Sequence, residues 1–164
     1  DTVLIGSFGK IIDNKLSSSS FMNISNSSGG FYIENEISQE SNITDTNSSA
    51  TQPQITGNIV KGGSYIQTSN NSGNVLYNNL LQNSYITFVT NSSTGTIQYN
   101  NLSSQSYIFA GNNTGSILYN TFEEASYIEV SQNDGSINYN TILHKYYTTY
   151  NYTNIFEIVR IVFY

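Results

Sequence analysis

Three consecutive stretches, residues 73–94 (GNVLYNNLLQNSYITFVTNSST), 95–114 (GTIQYNNLSSQSYIFAGNNT) and 115–134 (GSILYNTFEEASYIEVSQND), repeat one pattern. Each runs from glycine through an apolar residue to Tyr-Asn, another apolar residue, and then Ser-Tyr-Ile. Working outward, the whole chain falls into register on Asn14, Asn35, Asn58, Asn78, Asn100, Asn120 and Asn140, at spacings of 21, 23, 20, 22, 20 and 20 residues. A fixed period marks a repeat architecture, in which each unit buries its apolar face only against its neighbours.

The columns around these asparagines are regular. Three residues before them stand Ile11, Tyr32, Ile55, Val75, Ile97, Ile117 and Ile137; two after them stand Leu16, Ile37, Val60, Leu80, Leu102, Phe122 and Ile142. Six after come Ser20, Ser41, Ser64, Ser84, Ser106 and Ser126, then Tyr146. Eight after come Met22, Ile43, Ile66, Ile86, Ile108 and Ile128, then Thr148, so the last coil alone breaks the pattern. Five before sit Gly9, Gly30, Gly73, Gly95, Gly115 and Gly135, with Pro53 in the third coil, which reads as a turn opening each coil.

Alternating polarity without a 3.6-residue period predicts an all-β chain with two or three short strands per coil and no helices. About 20 residues is too short for a propeller blade or a helical repeat, but it suits one turn of a single-stranded parallel β-solenoid. Like positions then stack about 4.8 Å apart, and seven coils span roughly 35 Å. The asparagines are expected to form a ladder for two reasons: Asn tolerates left-handed backbone, and its amide can bond to the Asn of the coils above and below. A length of 164 residues fits one domain, read as an N-terminal cap strand (1–8), coils (9–150) and a C-terminal cap or exchanged strand (151–164).

Ile-x-Tyr-Asn-x-Leu/Phe/Ile followed by Ser-Tyr-Ile resembles the right-handed parallel β-helix repeat of pectate lyases, polygalacturonases and viral tailspikes, over about residues 9–150. The resemblance implies that handedness. It implies no single activity, because the same coil carries enzymes, adhesins and inert shafts. In the family's enzymes clustered aspartates on one outward sheet face do the chemistry, and this chain departs from that. The corresponding positions, seven and nine after each asparagine, read Phe21, Asn42, Tyr65, Tyr85, Tyr107, Tyr127, Tyr147 and Asn23, Thr44, Gln67, Thr87, Phe109, Glu129, Thr149. One carboxylate among them is not a catalytic pair. The best polar constellation left, Glu123, Glu124, His144 and Lys145, reads as a surface charge cluster.

Two outward tyrosine columns remain. Tyr65, Tyr85, Tyr107, Tyr127 and Tyr147 form a candidate interaction strip for sugars or a neighbouring protein, with strand stacking as the competing account. Tyr77, Tyr99, Tyr119 and Tyr139 form the second column, just before the ladder asparagines. Nine Asn-x-Ser/Thr triplets are candidate N-glycosylation sites: Asn23, Asn26, Asn42, Asn47, Asn70, Asn91, Asn101, Asn112 and Asn151. Asn26, Asn47, Asn70, Asn91 and Asn112 fall in what reads as a projecting polar loop. Turn chemistry alone also explains an Asn/Ser-rich loop.

Composition narrows the function. Only 10% of residues are charged and Lys plus Arg number 5, which argues against nucleic-acid binding; the net charge of −6 is scattered. Cysteine is absent and His144 is the single histidine, so neither disulfide nor multi-histidine metal chemistry is expected, and no cofactor. No apolar run approaches the roughly 18 residues of a membrane span. Asp1 in place of Met reads as a processed start. The apolar tail carries Ile155, Phe156, Ile158, Val159, Ile161, Val162 and Phe163, which either cap their own core or contact the next subunit head-to-tail. The expectation is a non-enzymatic extracellular structural or adhesive protein at a cell or virion surface, a homopolymer with glycans as further partners. The alternative is a carbohydrate-binding or carbohydrate-active β-helix using Tyr127, Glu129, Glu124 and His144.

Overall fold

The computed structural model describes residues 2–5, 10–25, 30–46, 54–71, 73–91, 95–143 and 161–162. These residues form an all-β parallel solenoid, and none of them is helical. Three sheets run along it. Sheet A holds seven strands: Thr2–Ile5, Phe21–Ser25, Asn42–Thr46, Tyr65–Asn71, Tyr85–Asn91, Tyr107–Asn113 and Tyr127–Asn133. Sheet B holds Lys10–Ile12, Phe31–Ile33, Gln54–Thr56, Asn74–Leu76, Thr96–Gln98, Ser116–Leu118 and Ser136–Asn138. Sheet C runs Lys15–Leu16, Glu36–Ile37, Ile59–Lys61, Asn79–Leu81, Asn101–Leu102, Thr121–Glu123, Thr141–Leu143 and Ile161–Val162.

Every pairing is parallel and joins like positions of successive coils, for example Ile66↔Ile86, Ile86↔Ile108 and Ile108↔Ile128. Alternation places one side chain in two inside. The two columns flanking the asparagines and the column eight residues after them therefore meet in one continuous apolar core, in which Ile55, Ile66, Leu80, Ile86, Ile97, Leu102, Ile108 and Ile117 are fully buried.

Seven coils were expected; the solenoid has about five full turns, flanked by incomplete ones. Asn35, Asn58, Asn78, Asn100 and Asn120 are buried, whereas Asn14 is exposed and Asn140 half-buried. Towards the C-terminal end the core residues Ile137 and Ile142 stay partly open, whereas Ile11 and Leu16 of the first coil are buried.

The ladder asparagines bond as expected. Asn78 Nδ2 donates to Asn100 Oδ1 at 2.9 Å and to Ile55 O at 2.7 Å, while Asn78 Oδ1 accepts from Asn58 N at 3.0 Å and Asn58 Nδ2 at 2.9 Å. Of the two reasons expected for choosing Asn, the left-handed backbone does not hold. The left-handed residue is the one before it: Asp13, Glu34, Gly57, Tyr77, Tyr99, Tyr119 and Tyr139 all have φ between 55° and 67°. The amide side chain alone selects Asn, because it supplies donor and acceptor together to a buried corner.

A second left-handed corner follows, four and five residues after the asparagine, as in Gln82 and Asn83 or Ser104 and Gln105. The serine column closes it. Ser84 Oγ donates to Val60 O at 2.6 Å, and Ser106 Oγ accepts from Ser84 N at 3.3 Å. Ser126 Oγ bonds Leu102 O at 2.7 Å and also bonds Glu123 O. The serines are thus a second polar ladder, buried from Ser41 to Ser126. Two glycines of the glycine column have a different cause from the one expected. Gly135 and Gly30 have no left-handed φ, but a Cβ on Gly135 would stand 2.1 Å from Gly115 O, and one on Gly30 would stand 2.7 Å from the Tyr32 ring. Close approach, not turn freedom, excludes a side chain there.

Candidate functional surface

Parallel pairing in register brings identical residues one strand spacing apart, so a column of tyrosines becomes a stack of rings. On sheet A, Tyr65, Tyr85, Tyr107 and Tyr127 start their strands and point outward, between the buried serine and the inward-facing isoleucine. Their ring centroids lie 4.8, 4.9 and 5.2 Å apart, with planes within 9° of parallel. These phenols are half-buried. Desolvation raises Tyr85, Tyr107 and Tyr127 above the ordinary phenol range, and the neighbouring phenols and Glu129 push the same way. Tyr147 lies outside the described residues.

The second column stands on the corner between sheets B and C. Tyr77, Tyr99, Tyr119 and Tyr139 stack at 5.2, 5.4 and 5.2 Å, again within 9° of parallel. They are far more open, at 61, 47, 45 and 56% exposure. Each has a φ of 56°, a left-handed conformation that costs an L-residue roughly 1–2 kcal/mol. Asp13, Glu34 and Gly57 occupy the same corner in the first three coils, so the backbone does not demand tyrosine there. The left-handed corner throws the ring clear of both sheets, which the sequence did not disclose. The more exposed column is therefore not the one that sequence reading put forward as the interaction strip.

No family model, curated protein or solved structure matches this chain.

The geometry of the remaining candidates must therefore stand alone. Tyr127 and Glu129 share the outward side of Tyr127–Asn133. Glu124 sits apart, on the left-handed corner between sheets C and A, where Ser104 Oγ donates to its Oε2 at 2.7 Å. Glu123 ends its strand in sheet C. His144 and Lys145 lie outside the described residues. Among the described residues no three His, Cys, Asp or Glu side chains gather as a metal site would require, and no helix is long and apolar enough to cross a membrane.

The sequons scatter. Asn23 and Asn101 are exposed on strands and Asn42 is half-buried at a strand start. Asn70, Asn91 and Asn112 were expected in a projecting loop, yet they lie within the seven-residue strands Tyr65–Asn71, Tyr85–Asn91 and Tyr107–Asn113. Pairing such as Asn70↔Thr90 and Thr90↔Asn112 extends sheet A through this polar stretch, because neighbouring coils carry matching extended segments. Asn112 is exposed; Asn26, Asn47 and Asn151 lie outside the described residues. In the tail, Ile161 and Val162 pair in parallel with Ile142 and Leu143 of the same chain. Ile155, Phe156, Ile158, Val159 and Phe163 lie outside the described residues.

Sequence reading missed two features. One is an outward ion-pair bridge across three coils, Lys15 to Glu36 at 3.2 Å and Glu36 to Lys61 at 2.7 Å. Lys61 and then Lys15 hold the Glu36 carboxyl below the usual range. The shared outward column of Lys15 and Glu36 was its only signal. The other is a buried Asp45, whose Oδ2 accepts a 2.5 Å hydrogen bond from Tyr32.

Proposed function

We propose that the chain is a non-enzymatic structural or adhesive protein of the extracellular surface, built as a right-handed β-helix like those of tailspikes and assembling head-to-tail. The observation that supports this reading is the polarity of the asparagine ladder. Each Asn gives its N–H and Nδ2 to the Oδ1 of the following coil, from Asn14 to Asn35 at 3.0 and 3.2 Å through Asn120 to Asn140 at 2.9 and 2.9 Å. The two ends are therefore complementary. Among the described residues no donor reaches Asn14 Oδ1, and Asn140 carries the same two forward donors as its predecessors. A second copy stacked on the first would continue the ladder once Ile161–Val162 leaves the sheet C edge at Thr141–Leu143 to the next copy's Lys15–Leu16.

Negative-stain micrographs and light scattering over a concentration series test this reading. Filaments one solenoid wide, lost on Asn14→Ala with the monomer still folded, are the expected result. Monomers at every concentration would refute assembly. An intact mass above 18.2 kDa on material from a secreting host would add the glycans.

A second reading, carbohydrate binding, draws support from Tyr127 beside Glu129 on one outward strand. Because the rings of each column cover one another's faces, a sugar would meet phenol edges and hydroxyls rather than open ring faces. Binding on a glycan array that disappears in Glu129→Gln would favour it over the shaft.

A further inference from the structure

We infer that the corner tyrosines Tyr77, Tyr99, Tyr119 and Tyr139 are a site of oxidative cross-linking, at which adjacent coils become joined by dityrosine. Three observations converge on this chemistry. The four rings are held parallel at 5.2 to 5.4 Å, so the ring carbons ortho to each hydroxyl have a like carbon beside them on the next coil. About half of each side chain is open to solvent, where an oxidant can reach it. All four adopt a left-handed backbone that other coils fill with Asp, Glu or Gly, so the rings stand at a costly position that nothing in the corner's geometry reserves for tyrosine.

The step is a one-electron oxidation carried out twice. A haem peroxidase with hydrogen peroxide, or another one-electron oxidant, takes one electron and one proton from each of two neighbouring phenols. The two tyrosyl radicals couple through their ortho carbons to form one C–C bond, and the proton on each coupled carbon moves to that ring's oxygen, restoring both phenols. Two hydrogen atoms leave in total and reduce one peroxide to two waters. Each tyrosine lies between two strands, as Tyr77 lies between Asn74–Leu76 and Asn79–Leu81, so its ring can tilt towards its neighbour without unpairing a sheet. The sheet A column is stacked as closely, but its phenols open strands in mid-sheet and are half-buried, which shields them from an oxidant. The inference does not depend on head-to-tail assembly.

The test treats dilute monomer with a haem peroxidase and limiting hydrogen peroxide. Dityrosine fluorescence and peptide masses are read after Glu-specific cleavage, which separates Tyr119 from Tyr139 at Glu123, Glu124 and Glu129. The expected product is monomeric, two hydrogens lighter for each link, with Tyr119 joined to Tyr139 or Tyr99, and it unfolds at a higher urea concentration than untreated protein. Replacing all four by Phe keeps the stack and should abolish most of the fluorescence. Tyr99→Phe alone should leave the Tyr119–Tyr139 link and remove any link to Tyr77. Undiminished fluorescence in the four-Phe protein, links confined to Tyr65, Tyr85, Tyr107 and Tyr127, or links found only between molecules would each overturn the inference.

Discussion

The hydroxyl of Tyr32 donates a 2.5 Å hydrogen bond to Oδ2 of Asp45, and both residues are 1% exposed. Asp45 stands in the sheet A column between Ile24 and Thr68, facing into the core, where the neighbouring positions are apolar or merely hydroxylic. Gly30 leaves the space in which the Tyr32 ring lies. The pair is a polar inclusion in the interior, separate from the asparagine and serine ladders. Tyr32→Phe removes the donor while leaving the carboxyl buried, and should destabilise the protein by about 1–3 kcal/mol. Combining it with Asp45→Val should cost less than the sum of the two single changes, since the carboxyl that the Tyr32 hydroxyl served is then gone. Urea unfolding of all four proteins checks this, and strict additivity would show that the two side chains are not coupled.

The asparagine ladder should be graded along the axis. Asn78→Ala removes four hydrogen bonds in a fully enclosed coil and should cost about 3 kcal/mol or more, because each buried group left unpaired costs about 1–3 kcal/mol. Asn14 is exposed and water can replace its bonds, so Asn14→Ala should change stability by less than about 1 kcal/mol. Equal losses at the two positions would mean that the ladder's contribution does not depend on burial.

Tyr139 stacks on one neighbour and Tyr99 on two. Asn suits the left-handed φ of 56° better than Tyr, so Tyr139→Asn exchanges about 1 kcal/mol of relieved backbone strain for one aromatic contact of about 0.5–1.5 kcal/mol. The expected outcome is a stability change within about 1 kcal/mol of zero at Tyr139 and a further loss of about 1 kcal/mol at Tyr99. Thermal melts of the two variants distinguish this from a column retained for stability, in which both changes would be strongly destabilising.

Alkaline titration should separate phenols by their position. Burial raises Tyr85, Tyr107 and Tyr127 above the ordinary value of 10.0, so the folded state holds their protons more tightly than the unfolded chain. Stability from this source is complete below about pH 10 and declines as pH rises through the folded values. Phenolate absorbance should show a late-ionising group of tyrosines, with Glu129→Gln moving Tyr107 and Tyr127 to lower pH. An unchanged titration in that variant would remove Glu129 as a cause.

Much of the fold was legible because a parallel stack forces like on like: once Asn35, Asn58, Asn78, Asn100 and Asn120 align, the inward columns follow from alternation alone. The asparagine and apolar columns were read correctly for that reason. The cause given for Gly135 was not, since that position is set by the distance to Gly115 O, which no spacing along the chain reveals. Nor did the pattern say that Tyr77 and its partners would be the open column and Tyr65 and its partners the half-buried one. Both read simply as tyrosine beside a polar residue.

By itself, then, the sequence determined the repeat, its period, the all-β parallel solenoid and the identity of the ladder residues, because these depend on periodicity and on which side chains can satisfy themselves in a stack. Tertiary structure decided what depends on distance and backbone hand: about five enclosed turns, the left-handed residue before each asparagine, the Tyr32–Asp45 pair and the exposed row of phenols. Those arise only when segments distant in the chain meet and the corner angle fixes where each side chain points.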